Sequence, residues 1–329
     1  MGYGLWAMGY GLWALDNSTF YPRMAPLSRP SGPSRPFRPS RPSTAGLAWM
    51  ALAQVFFAGM NVCTRLGART LPWSEIAAAR FLVGALIAFA FAWHRGSSLR
   101  ITDRPSTWRR SVFGTLAALC TFYALASSRI ALGDAATLTA TAPIFVALLS
   151  GWLLGERVGG RVALAIAVGF AGILAVLRPS FASALPIALI ATAGSAFYAL
   201  AMIWLRKIGP GEGHEAIVLH FSLVAFVTFL ALAVPVWRWP DWPTSLILLG
   251  AGVGGGGGQM AMTRAYALHR AAPVAALSGL GIVFTYLLAI PIFGDRPSPW
   301  QMLGSVLVIG ASLLLAGSRE PAEHVRATG

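Results

Sequence analysis

The chain has 329 residues, of which 56% are hydrophobic and only 11% charged, against about 25% charged in an ordinary soluble domain. That balance excludes a soluble globular domain. The net charge of +14 is no nucleic-acid footprint either, because Lys and Arg fall in short runs between long apolar segments.

Residues 1–45 stand apart. They open with a direct duplication, MGYGLWA then MGYGLWA, and continue into the Pro/Ser/Arg-rich tract SRPSGPSRPFRPSRPS. Nothing in this composition builds a core, so the segment reads as a disordered basic tail. Met1, Met8 and Met24 are all candidate starts, and an over-extended start site accounts for the tail as well as a functional arm does. The duplication lacks a basic leader and a long enough apolar run for a cleaved signal peptide.

Ten apolar spans follow, at about 46–66, 76–93, 111–128, 135–154, 162–177, 185–204, 216–235, 244–263, 274–293 and 299–317. Each suits a helix crossing a hydrocarbon core of about 30 Å. The expected protein is therefore an all-α integral membrane protein. Cys63 and Cys120 lie inside spans with no CxxC or His neighbour, and read as core thiols. With the N-terminus inside, eighteen of the 25 Lys and Arg residues fall on the cytoplasmic side, six outside, and Arg80 within a span. Loops retained in the cytoplasm accumulate positive charge, so both termini are expected there, in a plasma (inner) membrane. The cytoplasmic set includes the loop 94–110 with Arg109 and Arg110, and discarding the tail leaves the sign unchanged.

The two halves resemble each other. GDAATLTATAPIFVALLSGWLLGER (133–157) and APVAALSGLGIVFTYLLAIPIFGDR (272–296) share a pattern, and a slide of 139 places Gly155-Glu156-Arg157 on Gly294-Asp295-Arg296. A slide of 140 places Glu75…Arg80-Phe81 on Glu215…His220-Phe221. Five spans is an odd number, so the second copy enters the membrane inverted. Inverted repeats characterise secondary transporters, whose site lies near the midplane between the repeats.

FYALASSRIALGDAATLTATAPIFVALLSGWLLGERVGG with VGFAGILAVLRP resembles the first EamA repeat of the drug/metabolite transporter superfamily. GQMAMTRAYALHRAAPVAAL with FGDRPSPWQMLGSVLVIGAS resembles the second. The resemblance covers about 46 to 317, with repeats at 46–178 and 183–317 and a C-terminal tail at 318–329. It implies ten helices in two inverted five-helix repeats around a central cavity, moving small metabolites without ATP. Asp295 stands where Glu is more usual, and Ile282 where the first repeat has Pro143.

Within this frame the glycine run GAGVGGGGGQM, 250–260, is neither a P-loop nor a dinucleotide fingerprint, since it lacks the Gly-Lys-Ser/Thr ending and the strand, helix and acid that those need. It lies inside the eighth span, where Gly255, Gly256 and their neighbours serve close helix approach, a hinge, or both. Gln259 beside it is expected to face the bundle interior, in a packing bond or towards solute. Arg80 is the deepest cation, and snorkelling to the interface competes with a cavity role. Its repeat partner His220 is a titratable candidate near neutral pH. Gln54 and Asn61 share a face of the first span, and Pro143 frees the carbonyl of Thr139, which a threonine hydroxyl among Thr137, Thr139 and Thr141 could satisfy.

A cavity with Arg80, Gln54, Asn61, His220 and Gln259, ringed by Tyr123, Tyr198 and Tyr286, suits a carboxylate-bearing or zwitterionic solute, with amino acids and their derivatives first. Riboflavin-like vitamins and nucleoside-type metabolites fit the frame too, as does a non-transporting receptor or structural role. Glu156 and Asp295 read as interfacial gates or orientation pairs. Gln54 and Asn61 are neutral where small multidrug relatives carry a first-helix Glu, which disfavours drug/proton antiport. Five scattered histidines (His94, His214, His220, His269 and His324) and no paired carboxylates or metal-ligand spacing exclude an enzyme reading. No cofactor or metal is expected; the expected partners are a small-molecule solute and the bilayer, with a homodimer left open.

Overall fold

The computed structural model describes residues 44–154, 159–177, 181–208, 212–268 and 277–316. These form eleven α-helices and no strand: α1 (Thr44–Gly67), α2 (Trp73–Arg95), α3 (Arg104–Ala126), α4 (Leu132–Thr139), α5 (Ala142–Leu154), α6 (Gly160–Leu177), α7 (Phe181–Lys207), α8 (His214–Ala233), α9 (Trp242–Leu268), α10 (Leu280–Phe293) and α11 (Pro299–Ala316). Five segments, at 45–67, 73–95, 132–149, 185–205 and 215–236, are long and apolar enough to cross a membrane, and three shorter apolar helices accompany them.

Helix ends follow local chemistry. Asp103 caps α3 by accepting from the Ser106 amide at 3.2 Å, and Asp241 caps α9 by accepting from the Thr244 amide at 3.0 Å. Side-chain oxygens satisfy amides that the first turn leaves without partners. α2 and α10 end on Gly96 (φ 62°) and Gly294 (φ 70°), left-handed positions that favour glycine.

Two expectations need correction. The third span begins at Arg104 rather than residue 111, so Arg110 belongs to the helix and not to the preceding loop. The fourth span is broken into α4 and α5 just ahead of Pro143, which has no amide to give to the Thr139 carbonyl. The donor to that carbonyl is not a threonine. Thr139 Oγ1 donates to Ala135 O at 3.0 Å and Thr141 Oγ1 to Leu138 O at 2.7 Å, while Ser195 of α7 donates to Leu138 O (2.9 Å) and Thr139 O (3.0 Å). A hydroxyl reaches back most easily to carbonyls three or four positions earlier on its own helix, so the break is closed from a neighbouring one.

The helix pairings are unchanged when the halves are exchanged. Numbering the spans in order, the second repeat's first span is α7 and its third is α9. α1 packs on α9 and α7 on α3; α1 packs on α10, and α7 on α4 and α5; α2–α8, α4–α10 and α6–α11 each map onto themselves. This is the contact signature of two inverted five-helix repeats.

The glycine stripe of α9 explains how closely α1 and α2 approach. A Cβ at 254 would lie 2.8 Å from Phe56 O and 2.9 Å from Met60 N, and one at 258 would lie 2.7 Å from the Phe57 ring, all on α1. On the α2 side, a Cβ at 252 would lie 2.5 Å from Val83 and one at 256 2.6 Å from Ile87. The two sets recur at helical spacing on adjacent faces.

Candidate functional site

α2, α3 and α8 meet on a cluster of aromatic side chains. Phe81 lies 5.4 Å from Phe221 edge to face, 5.5 Å from Phe229 stacked, and 6.0 Å from Phe122. Trp73 abuts Phe229 and, on its other side, Tyr123. Such pairs stabilise by about 0.5–1.5 kcal/mol beyond area burial, so they fix the positions of their flanking residues.

Two of those flanking residues are arginines. Arg80 on α2 is 6% exposed and its guanidinium carbon sits 4.1 Å from the Phe81 ring centroid; Arg110 on α3 is 4% exposed and sits 4.1 Å from that of Phe221. Cation–π contact uses the ring face and leaves the N–H donors of the guanidinium edge unspent. Nε of Arg80 and both Nε and Nη1 of Arg110 have no hydrogen-bond partner. Among the described residues neither has an acidic side chain within ion-pair distance. Arg65 shows the contrast: equally buried, it donates from Nε to Leu125 O at 2.6 Å and from Nη2 to Ile130 O at 2.9 Å.

Depth follows from helix geometry. Arg80 is seven residues into α2 and Arg110 six residues into α3, or about 10 Å and about 9 Å from the starts of helices about 34 Å long. Each guanidinium leans one turn further along: Nη1 of Arg80 is 3.7 Å from a Cβ built at Gly84, and Nη1 of Arg110 3.4 Å from one built at Gly114. Consecutive spans run in opposite directions, so both groups reach mid-depth from opposite ends. A Cβ at Gly255 would lie 2.4 Å from Arg80 Nε, so the absent side chain of α9 is what gives Arg80 its room.

His220 of α8, the repeat partner of Arg80, shares a 2.8 Å bond between Nδ1 and Ser111 Oγ of α3, and its ring meets Trp108 edge to face at 4.8 Å. Both His220 and Tyr198 lie within the electrostatic reach of Arg110.

The remaining candidates are distributed elsewhere. Gln54 is 6% exposed, donates to Met50 Sδ at 3.5 Å and rests against Gly281 of α10; Asn61 donates to Thr285 Oγ1 of the same helix at 3.2 Å. The polar face of α1 is thus turned to α10. Gln259 is half-buried on α9, and Tyr123 and Tyr198 are 40% and 37% exposed. Tyr286 is not beside Arg80. Its hydroxyl donates to Asp134 Oδ1 at 2.5 Å, Gln301 Nε2 donates to Asp134 Oδ2, and Ser305 joins Tyr286 to Thr137. Asp295 accepts from the Leu132 amide at 3.0 Å and so caps α4. Glu156 lies outside the described residues.

The α2–α8 pair is fastened at both ends. Glu215 at the start of α8 pairs with Arg95 at the end of α2, 3.1 Å apart. Glu75 near the start of α2 accepts from the Arg238 amide just beyond α8 at 3.1 Å. Glu212 takes the amides of Thr102 and Asp103, both at 2.6 Å. The second oxygens of Glu75 and Glu212 are buried without a partner, and neither acid lies within ion-pair distance of Arg80 or Arg110.

A bundle of inverted helical repeats with unpaired cations at mid-depth is the architecture of a membrane carrier. The chain matches the EamA-like transporter family over residues 44–178 and again over 185–317, and it belongs to that family. It is 30% identical to the pseudopaline exporter CntI of Pseudomonas aeruginosa, over 84% of this chain and 97% of that one. It is 25% identical to the riboflavin transporter of Vibrio cholerae (80% and 90% covered) and 23% identical to the S-adenosylmethionine uptake transporter of Rickettsia felis (84% and 94%). A solved crystal structure shares its fold with a TM-score of 0.60 at 19% identity, covering 84% of this chain and 98% of that one. The protein is accordingly a multi-pass membrane transporter of the drug/metabolite transporter superfamily, not an enzyme.

Proposed function

We propose that the protein is a secondary carrier that exports small polar metabolites, amino acids or their derivatives among them, by alternating access without ATP. The observation that carries this reading is Arg80: a residue 6% exposed, its guanidinium at mid-depth with Nε unpartnered. Leaving a buried cation unpaired is strongly unfavourable, and an acidic group on a solute offsets that cost while bound. Arg80, with Arg110 and the Ser111–His220 pair, binds the solute; Gln54, Asn61 and Gln259 line the approach. The relative that shares the highest of the quoted identities is an exporter, and the charge distribution favours a plasma-membrane protein with both termini cytoplasmic.

A second reading, uptake of a vitamin or nucleoside-type cofactor, is favoured by the riboflavin and S-adenosylmethionine transporters among the relatives. An untargeted metabolite comparison of cells and medium, wild type beside Arg80→Ala, separates the two. Export predicts a solute that gathers outside only with wild type; uptake predicts depletion of a medium component. No wild-type-dependent change would refute both.

A further inference from the structure

Resting on the carrier reading, we infer that the transported solute carries two carboxylates, one held by Arg80 and the other by Arg110.

Both arginines are more than nine-tenths buried, and Nε of Arg80 and both Nε and Nη1 of Arg110 meet no acceptor. They stand at the two ends of an edge-to-face phenylalanine pair: 4.1 Å from Arg80 to Phe81, 5.4 Å from Phe81 to Phe221, and 4.1 Å from Phe221 to Arg110. The aromatic pair is pinned by Phe122 and Phe229, and the two guanidinium groups lie within each other's electrostatic reach, so two like charges are gathered at one site. A guanidinium edge matches a carboxylate in plane and bidentately.

Charge argues for two acidic groups rather than one. None of the acids along α2, α3 and α8 and their adjoining loops pairs with either arginine: Glu75 Oε2 accepts from the Arg238 amide and Glu212 Oε1 from those of Thr102 and Asp103, their second oxygens being buried without a partner, while Asp103 caps α3 and Glu215 pairs with Arg95. A monoanion would neutralise one arginine and leave the other buried and uncompensated. The remaining neighbours, Ser111, His220 and, from α7, Tyr198, supply hydroxyl and ring groups and add no carboxylate beside the arginines.

The test is a melting-temperature series on the purified full chain in detergent, at matched ionic strength, with butyrate, succinate, glutarate, adipate and inorganic phosphate as probes. One of the dicarboxylates should stabilise wild type at a half-saturating concentration at least about tenfold below that of butyrate, the gain expected from one more charge-assisted contact. Arg80→Gln and Arg110→Gln should each remove that advantage while the response to butyrate persists. Arg110→Lys, which keeps the charge but loses the fork, should restore it in part. Equal responses to butyrate and every dicarboxylate, or a response to phosphate alone, would overturn the inference, and this ranking on wild type needs no variant to fold. The carrier reading is tested separately. Export of a solute with fewer than two acidic groups in the metabolite comparison would sink the two-carboxylate inference and leave the carrier standing, whereas dicarboxylate binding without flux of any solute would do the reverse.

Discussion

Gly255→Ala offers a clean separation of fold from function. The added Cβ would lie 2.4 Å from Arg80 Nε and 3.0 Å from its Cγ and Cζ, so the guanidinium must retreat by roughly 1 Å to reach ordinary contact. Arg80 is a long side chain and can move, and alanine is the better helix former by roughly 1 kcal/mol, so the fold should hold. A hydrogen bond lengthened by that much is no longer one. Losing a charge-assisted contact costs about 1.5–3 kcal/mol, which is roughly a 10- to 150-fold loss of solute affinity. Gly254→Ala is the control: its Cβ would meet Phe56 O at 2.8 Å and Met60 N at 2.9 Å, backbone that has nowhere to go. Counterflow in proteoliposomes, with the solute found by metabolite comparison, should fall in Gly255→Ala at an unchanged melting temperature; Gly254→Ala should lose melting temperature first. Wild-type counterflow affinity in Gly255→Ala would refute the role given to Arg80.

Gly304→Ala should destabilise the α6–α11 crossing by about 1–3 kcal/mol, because its Cβ would lie 2.6 Å from Gly172 O and 2.7 Å from Val176 N; a melting curve unchanged from wild type would contradict this. Ser195→Ala strands the carbonyl of Thr139, that of Leu138 keeping Thr141, at a cost of about 1–3 kcal/mol, read as lowered thermal stability and faster amide exchange at residues 139–142. Asp241, exposed at the start of α9, has its carboxyl held below the usual range by its bonds to Thr244. Its folded pKa is the lower of the two, so its stabilisation is present at neutral pH and fades as pH falls below about 4. Asp241→Ala should therefore melt below wild type at neutral pH, and the gap should close in acid.

The spans, the repeat and Arg80 were legible because each is a departure from a uniform background: long apolar runs, a self-match at a fixed offset, one charge where there should be none. Arg110 was not. It sits in TWRRSVFG, a stretch too polar to register as a span, and what buries it is Phe221 of α8, more than a hundred positions away. Asp134 and Tyr286 are 152 positions apart and pair only once α4 and α10 are side by side, so Tyr286 read as one more cavity aromatic. Pro143 announced the break in the fourth span, but Ser195 carries no signal that it closes that break. Neutral hydroxyls and carbonyls acquire their meaning from neighbours, and hydropathy is blind to them.

The glycine stripe has a consequence for how this sequence can drift. Four positions of α9, Gly252, Gly254, Gly256 and Gly258, are filled already by matter from α1 and α2, so α9 is a mould whose cast is made of Phe56, Phe57, Met60, Val83 and Ile87. A cast can shrink and leave a void, at a graded cost; the mould can only grow into occupied space. Tolerance to substitution at this interface should be one-sided, with α1 and α2 admitting smaller residues in steps while the glycines admit almost nothing.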